Sequence, residues 1–191
     1  EPKQGALIES QSIKFLHAIE TENREVFDQL VENKALLDYP EKNFNQTPLF
    51  FATIAKNEDN GLGMVTKLIE NGANPNHLDE MKQTAMFYAA RDGRVKIINY
   101  LVSKGCDPDH KDKNQQTPLY YASREGHVDA VARLLELGAN INNTDVFHQT
   151  ALFYAAKAGR FEVCQFLISK GINHAHQDEK KQTALYFARR S

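Results

Sequence analysis

One phrase recurs five times along the 191 residues: QTPLFFA from Gln46, QTAMFYA from Gln83, QTPLYYA from Gln116, QTALFYA from Gln149 and QTALYFA from Gln182. Its threonines, Thr47, Thr84, Thr117, Thr150 and Thr183, are spaced by 37, 33, 33 and 33 residues. A unit of that length buries its apolar face only against a neighbour, so a fixed period of this size predicts a stacked array rather than a closed globule. Each phrase also reads as a helix start. Thr suits the cap position and Pro the first turn, and Ala85, Ala151 and Ala184 keep the helix where Pro is absent. Leu49, Met86, Leu119, Leu152 and Leu185, two residues after each Thr, are expected in the core. So is the second-helix stripe of Leu101-Val102, Leu134-Leu135 and Leu167-Ile168, while Ala89-Ala90 and Ala155-Ala156 allow close helix approach. Gly72, Gly105, Gly138 and Gly171 follow as helix ends with positive φ.

The stretch REGHVDAVARLLELGANIN (124–142) adds a second helix and a Gly-Ala-x-x-Asn exit, with weaker copies at 91–109 and 157–175. With the Thr-Pro-Leu start and the 33-residue period, the sequence resembles the ankyrin-repeat family. The resemblance implies an all-α solenoid of stacked helix-turn-helix units with short hairpin loops, about five repeats plus a partial sixth. Residues 1–12 form an N-terminal extension and 13–46 an atypical capping repeat, whose HAIETENREVFDQLVENKALL supplies two helices. Repeats then cover 47–83, 84–116, 117–149 and 150–182, with 183–191 a partial sixth, so the polypeptide is expected to continue. Two departures stand out. The 47–83 repeat carries four extra residues near KNEDNGLG (56–63), expected as a longer loop between its helices. The family's turn Gly, two before Thr, is replaced by Asn45, Lys82, Gln115, His148 and Lys181, which predicts strained or differently shaped turns.

A net charge of −2 argues against a general nucleic-acid binder. Two cysteines, Cys106 and Cys164, make no disulfide framework and fit a reducing compartment. No run nears the roughly 18 apolar residues that span a bilayer, and no signal peptide opens the chain. An intracellular protein, cytoplasmic or nuclear and monomeric as an isolated domain, is expected.

The adjacent tyrosines Tyr120 and Tyr121 pose the functional question, because one helix face holds only one of two neighbours. The resemblance places the residue three after Thr (Phe50, Phe87, Tyr120, Phe153, Tyr186) against the neighbouring repeat. It places the next one (Phe51, Tyr88, Tyr121, Tyr154, Phe187) at the border of the concave groove. Arg91, Arg124, Lys157 and Arg190 follow three residues later, on the same helical face, with Ile54 in the 47–83 repeat. Rings give rigid contact area and guanidinium groups give forked donors, so the two rows suit a partner; alternatively the cations simply cover packed rings. At the hairpins, Asp79, Asp112, Asp145 and Asp178 are expected to accept backbone hydrogen bonds. Met81, Asn114, Phe147 and Lys180 stand two residues further on, and the apolar Met81 and Phe147 suggest partner contact. The Gln before each Thr is expected to form a hydrogen-bonded ladder between turns; the alternative is a row of groove contacts.

No phosphate loop, H-E-x-x-H or G-x-S-x-G occurs. His77, His110 and His176 share a hairpin position, but repeats lie roughly 8–10 Å apart, too far for two to share one zinc. They are expected to be solvated. No catalytic residue, metal or cofactor is assigned. The expected function is a non-enzymatic protein-interaction module. It takes a protein or peptide segment with acidic and apolar side chains on the concave face, through Phe51, Tyr88, Arg91, Tyr121, Arg124, Tyr154, Lys157, Phe187 and Arg190 with Met81, Asn114 and Phe147. One alternative is a methyl-lysine or small-ligand reader using Tyr88 with Asp92 or Tyr121 with Glu125. The other is a docking or regulatory domain of a larger enzyme.

Overall fold

The computed structural model describes residues 2–190, with side chains from residue 5; Ser191, at the end of the partial sixth repeat, lies outside them. The described chain is helical throughout, without strands, and divides into two compact units, residues 1–85 and 86–191.

The first unit contains α1 (Pro2–Glu20), α2 (Arg24–Leu30), α3 (Lys34–Leu37), α4 (Pro48–Thr53) and α5 (Glu58–Glu70). α1 runs unbroken across the boundary between residues 12 and 13, and the segment after it supplies α2 and the one-turn α3. Phe15 and Phe27 stack with ring centres 5.5 Å apart, and Ile19, Leu36, Leu49 and Leu68 complete a fully buried core. The four extra residues do not lengthen a loop. They lengthen α5, which has 13 residues against nine in the second helices of the later repeats. Asn57 caps this early start by accepting from the Asn60 amide at 3.0 Å. The Glu22 carboxylate accepts from the Asn57 amide and the Asn60 side chain. An Asx cap followed by Glu58 and Asp59 is a strong helix-start signal, so the insertion is absorbed as one more turn.

The second unit alternates first helices α6 (Ala85–Arg91, its first residue still in the first unit), α8 (Pro118–Glu125), α10 (Ala151–Lys157) and α12 (Ala184–Ala188) with second helices α7 (Val95–Ser103), α9 (Val128–Glu136) and α11 (Phe161–Ser169). First helices pack on first helices (α8 on α10, α10 on α12), and second on second (α7 on α9, α9 on α11). Met86, Leu119 and Leu152 are buried between them with Ile97, Leu101, Val131, Leu134 and Leu167. Two residues depart from the expected core: Leu185 on α12 is 58% exposed and Ile168 on α11 is 48% exposed.

The threonines occupy the cap positions, but Thr47, Thr117, Thr150 and Thr183 make no side-chain cap bond. The Oγ1 atoms of Thr47, Thr84, Thr117 and Thr150 are buried without a partner. A buried hydroxyl left unpaired costs roughly 1–3 kcal/mol, and a methyl group of equal shape does not incur it. Thr150→Val is therefore expected to fold with stability unchanged or raised by up to about 1 kcal/mol in a urea titration. A loss of that size would reveal a hydrogen bond at Oγ1.

The hairpin turns keep one shape. Asn45, Lys82, Gln115, His148 and Lys181 all adopt left-handed φ between 57° and 60°. Four of these five side chains are of types that enter that region at a cost.

Candidate functional site

The site is built from the turns outward. In each hairpin one aspartate oxygen accepts two backbone amides: Asp79 from Met81 and Gln83, Asp112 from Asn114 and Gln116, Asp145 from Phe147 and Gln149, Asp178 from Lys180 and Gln182. This is the expected use of these carboxylates, and all four are buried. In the second unit the other oxygen faces the first helices. Tyr121 Oη donates to Asp112 at 2.7 Å and Tyr154 Oη to Asp145 at 2.6 Å. The glutamines bridge successive turns: Gln116 Nε2 reaches Asp145 and the Tyr154 hydroxyl, and Gln149 Nε2 donates to Asp178 at 2.8 Å. Burial and the bond to Asp145 push the Tyr154 phenol well above its ordinary pKa, so it remains a donor. For Asp178, desolvation acts upward but is outweighed by the Gln182 amide, the Gln149 side chain and the Lys180 amide, and its carboxyl sits below the ordinary value.

Of the paired tyrosines, Tyr120 is the core residue, 1% exposed, and Tyr121 is half-buried. Phe51 in the first unit, and Tyr88, Tyr154 and Phe187 in the second, are half-buried as well. The cations lie over the rings, Arg91 at 4.9 Å from the Tyr88 centre, Arg124 at 5.1 Å from Tyr121 and Lys157 at 5.1 Å from Tyr154. Arg91 is also ion-paired to Asp92 and Arg124 to Glu125. The pairing of Phe187 with Arg190 does not form, because α12 ends at Ala188 and the helical offset stops there. Arg190 instead covers Tyr186 and donates to its hydroxyl. Lys157 takes Phe187 as a second ring, at 4.5 Å.

At the hairpin tips Met81 in the first unit and Phe147 in the second are 41% and 49% exposed; Asn114 and Lys180 are exposed too. Phe44, 61% exposed, belongs to the same row and was missed because its turn lacks the aspartate. Glu41 replaces it, its carboxylate accepting from the Asn43, Phe44 and Gln46 amides. The signal was available: Phe44 stands three before Thr47, as Met81 stands three before Thr84. Adjacent tips are joined through backbone, Glu80 N–H to Phe44 C=O in the first unit and Glu179 N–H to Phe147 C=O in the second. In the second unit a tip and a first-helix row enclose a common hollow of about 260 Å³, lined by Phe147, Gln149, Tyr154, Lys157, Asp178, Glu179, Lys180, Gln182 and Phe187.

The histidines are structural rather than solvated. His77, His110 and His176 meet Phe50, Phe87 and Phe153 edge-on at 6.1–6.2 Å. The Nε2 atoms of His77 and His176 lie 2.9 and 2.8 Å from the carbonyls of Asn45 and His148. Where the core aromatic is Tyr120, the hairpin residue is Asn143, and the Tyr120 hydroxyl lies within hydrogen-bond distance of the Asn143 and Gln149 carbonyls. Burial raises the Cys106 thiol to about 11, which keeps it protonated and unreactive at neutral pH. Among the described residues no group of three or more His, Cys, Asp or Glu could hold a metal ion, and no helix is long and apolar enough to cross a membrane.

Stacked two-helix units joined by hairpins with aspartate-braced turns define a helical-repeat binding scaffold. The chain belongs to the ankyrin-repeat family: the family model of three ankyrin repeats matches residues 54–145 and 137–191. No curated protein matches the chain. Repeats of this family are generally protein–protein interaction modules and typically non-catalytic.

Proposed function

We propose that the chain binds a segment of a partner protein along the first-helix and hairpin-tip surface, the concave face in its family. The observation that carries this is the hollow of the second unit, where an exposed tip phenylalanine and the aromatic–cation row line one depression. Large apolar side chains at exposed tips are retained at a solubility cost and mark contact surfaces. The rings are held by hydrogen bonds and offer preorganised area at little entropic cost. The row serves both roles weighed from the sequence, since cation-covered rings still present their edges and the outer guanidinium donors.

The methyl-lysine alternative fits less well. Tyr88 and Tyr121 already carry the chain's own guanidinium groups, and Asp92 and Glu125 are ion-paired to them.

The test is selection of a random 12-residue peptide library on the whole chain, followed by mapping of bound peptides from backbone amide NMR shifts. Shifts are expected along 112–124 and 145–157. Arg91→Ala with Arg124→Ala, exposed enough to leave the fold intact, is expected to weaken those peptides at least tenfold. Peptides that perturb only α7, α9 and α11, and bind the double variant equally, would overturn the proposal.

A further inference from the structure

Resting on that reading, we propose that the hollow between Phe147 and Phe187 is an anchor subsite for one side-chain carboxylate of the bound segment, received by the ammonium of Lys157.

Lys157 differs from the other cations of its row. Arg91 and Arg124 are each followed by an acid that pairs with them, Asp92 and Glu125, whereas Lys157 is followed by Ala158. Among the described residues no carboxylate lies within ion-pair distance of its Nζ. Of its three donors, one goes to Gln149 Oε1 at 2.6 Å. The ammonium is held in place between two rings, at 5.1 Å from the Tyr154 centre and 4.5 Å from Phe187. Partial desolvation there disfavours its charge and lowers its pKa, against the raising fields of Asp145 and Asp178.

Those two aspartates do not serve as its counterions because their oxygens are already engaged. Asp145 accepts from Phe147, Gln149 and Tyr154, and Asp178 from Lys180, Gln182 and Gln149. What remains is a preoriented cation with two unused donors, exposed to solvent beside the Tyr154 and Phe187 rings that line the hollow. A carboxylate entering it gains two charge-assisted bonds, while apolar residues beside it meet Phe147 and Phe187. The charge is set at one. Glu179 and Asp178 line the hollow against Lys157 and Lys180, so the lining has no net positive charge to hold a dianion such as a phosphate, and the forked guanidinium that phosphate favours is absent.

The peptides selected above decide the matter. Those mapping to residues 145–187 are expected to carry Glu or Asp at one fixed position beside an apolar residue. Lys157→Met keeps the side-chain stem on the rings and is expected to weaken them at least tenfold. Glu→Gln in the peptide should do the same, and both changes together should cost no more than either alone. Peptides that map to the hollow without acid enrichment, or whose two losses add, would remove the anchor and leave the binding face standing. Peptides that map to 112–124 and never to the hollow would likewise remove the anchor alone, and peptides that perturb only α7, α9 and α11 would remove both.

Discussion

Asp145→Ala is expected to destabilise the second unit by about 3–5 kcal/mol, from roughly 1.5–3 kcal/mol per bond to a charged acceptor with partial rescue by water. The carboxylate is 4% exposed and accepts from the Phe147 and Gln149 amides, from Tyr154 Oη and, at 3.3 Å, from Gln116 Nε2. Truncation orphans donors from its own turn, its own first helix and the preceding turn at once. Asp145→Asn keeps the oxygen that braces the turn, and the Tyr154 hydroxyl can turn to accept, so its loss is expected to be about a third as large. Urea titration gives the magnitude, and hydrogen exchange at the Gln149 amide gives the locality. A loss under about 1 kcal/mol with that amide still protected would mean that the turn stands without its aspartate.

The opposite sign is expected at the left-handed residues. Gln115, His148 and Lys181 hold φ of 60°, 57° and 59°, where an L side chain costs about 1–2 kcal/mol relative to glycine. Part of that relief is returned, because glycine is freer in the unfolded chain. The net gain is about 1 kcal/mol per site. The sites lie in separate turns and share no partner, so Gln115→Gly, His148→Gly and Lys181→Gly together should gain about 2–3 kcal/mol and raise Tm by roughly 5–10 °C. The backbone carbonyl of His148 that meets His176 survives the change. No rise in Tm would mean that the native side chains compensate for their conformation.

The repeat period made the architecture legible; the helical angle between neighbours showed that only one of Tyr120 and Tyr121 is buried, and the family resemblance indicated which. The turn aspartates and linking glutamines were legible for the same reason, because strict register exposes a shared structural duty. What was lost has local causes. The insertion in the 47–83 repeat reads as a loop through its Gly and Asn residues, whereas Asn57 and the two acids after it start a helix. Thr at a cap position does not reveal whether its hydroxyl finds a donor, and here it does not. Phe44 is marked only by its distance from Thr47, because Glu41 and a longer turn replace the aspartate that marks the other tips. Lys157 reads in sequence like its arginine counterparts. The sequence already gives it Ala158 where the arginines have an acid, but only the coordinates reveal that it spans two rings.

The alternation at the core aromatic also governs which repeats can be exchanged. Phe50, Phe87 and Phe153 each meet a histidine of the following hairpin, while Tyr120 faces Asn143. Transplanting one of these modules without its successor would seat a phenol against an imidazole, or leave a plain ring beside an amide too short to reach it. Neighbouring modules are thus matched like adjoining puzzle pieces, and a shuffled array should assemble only when both halves of each joint travel together.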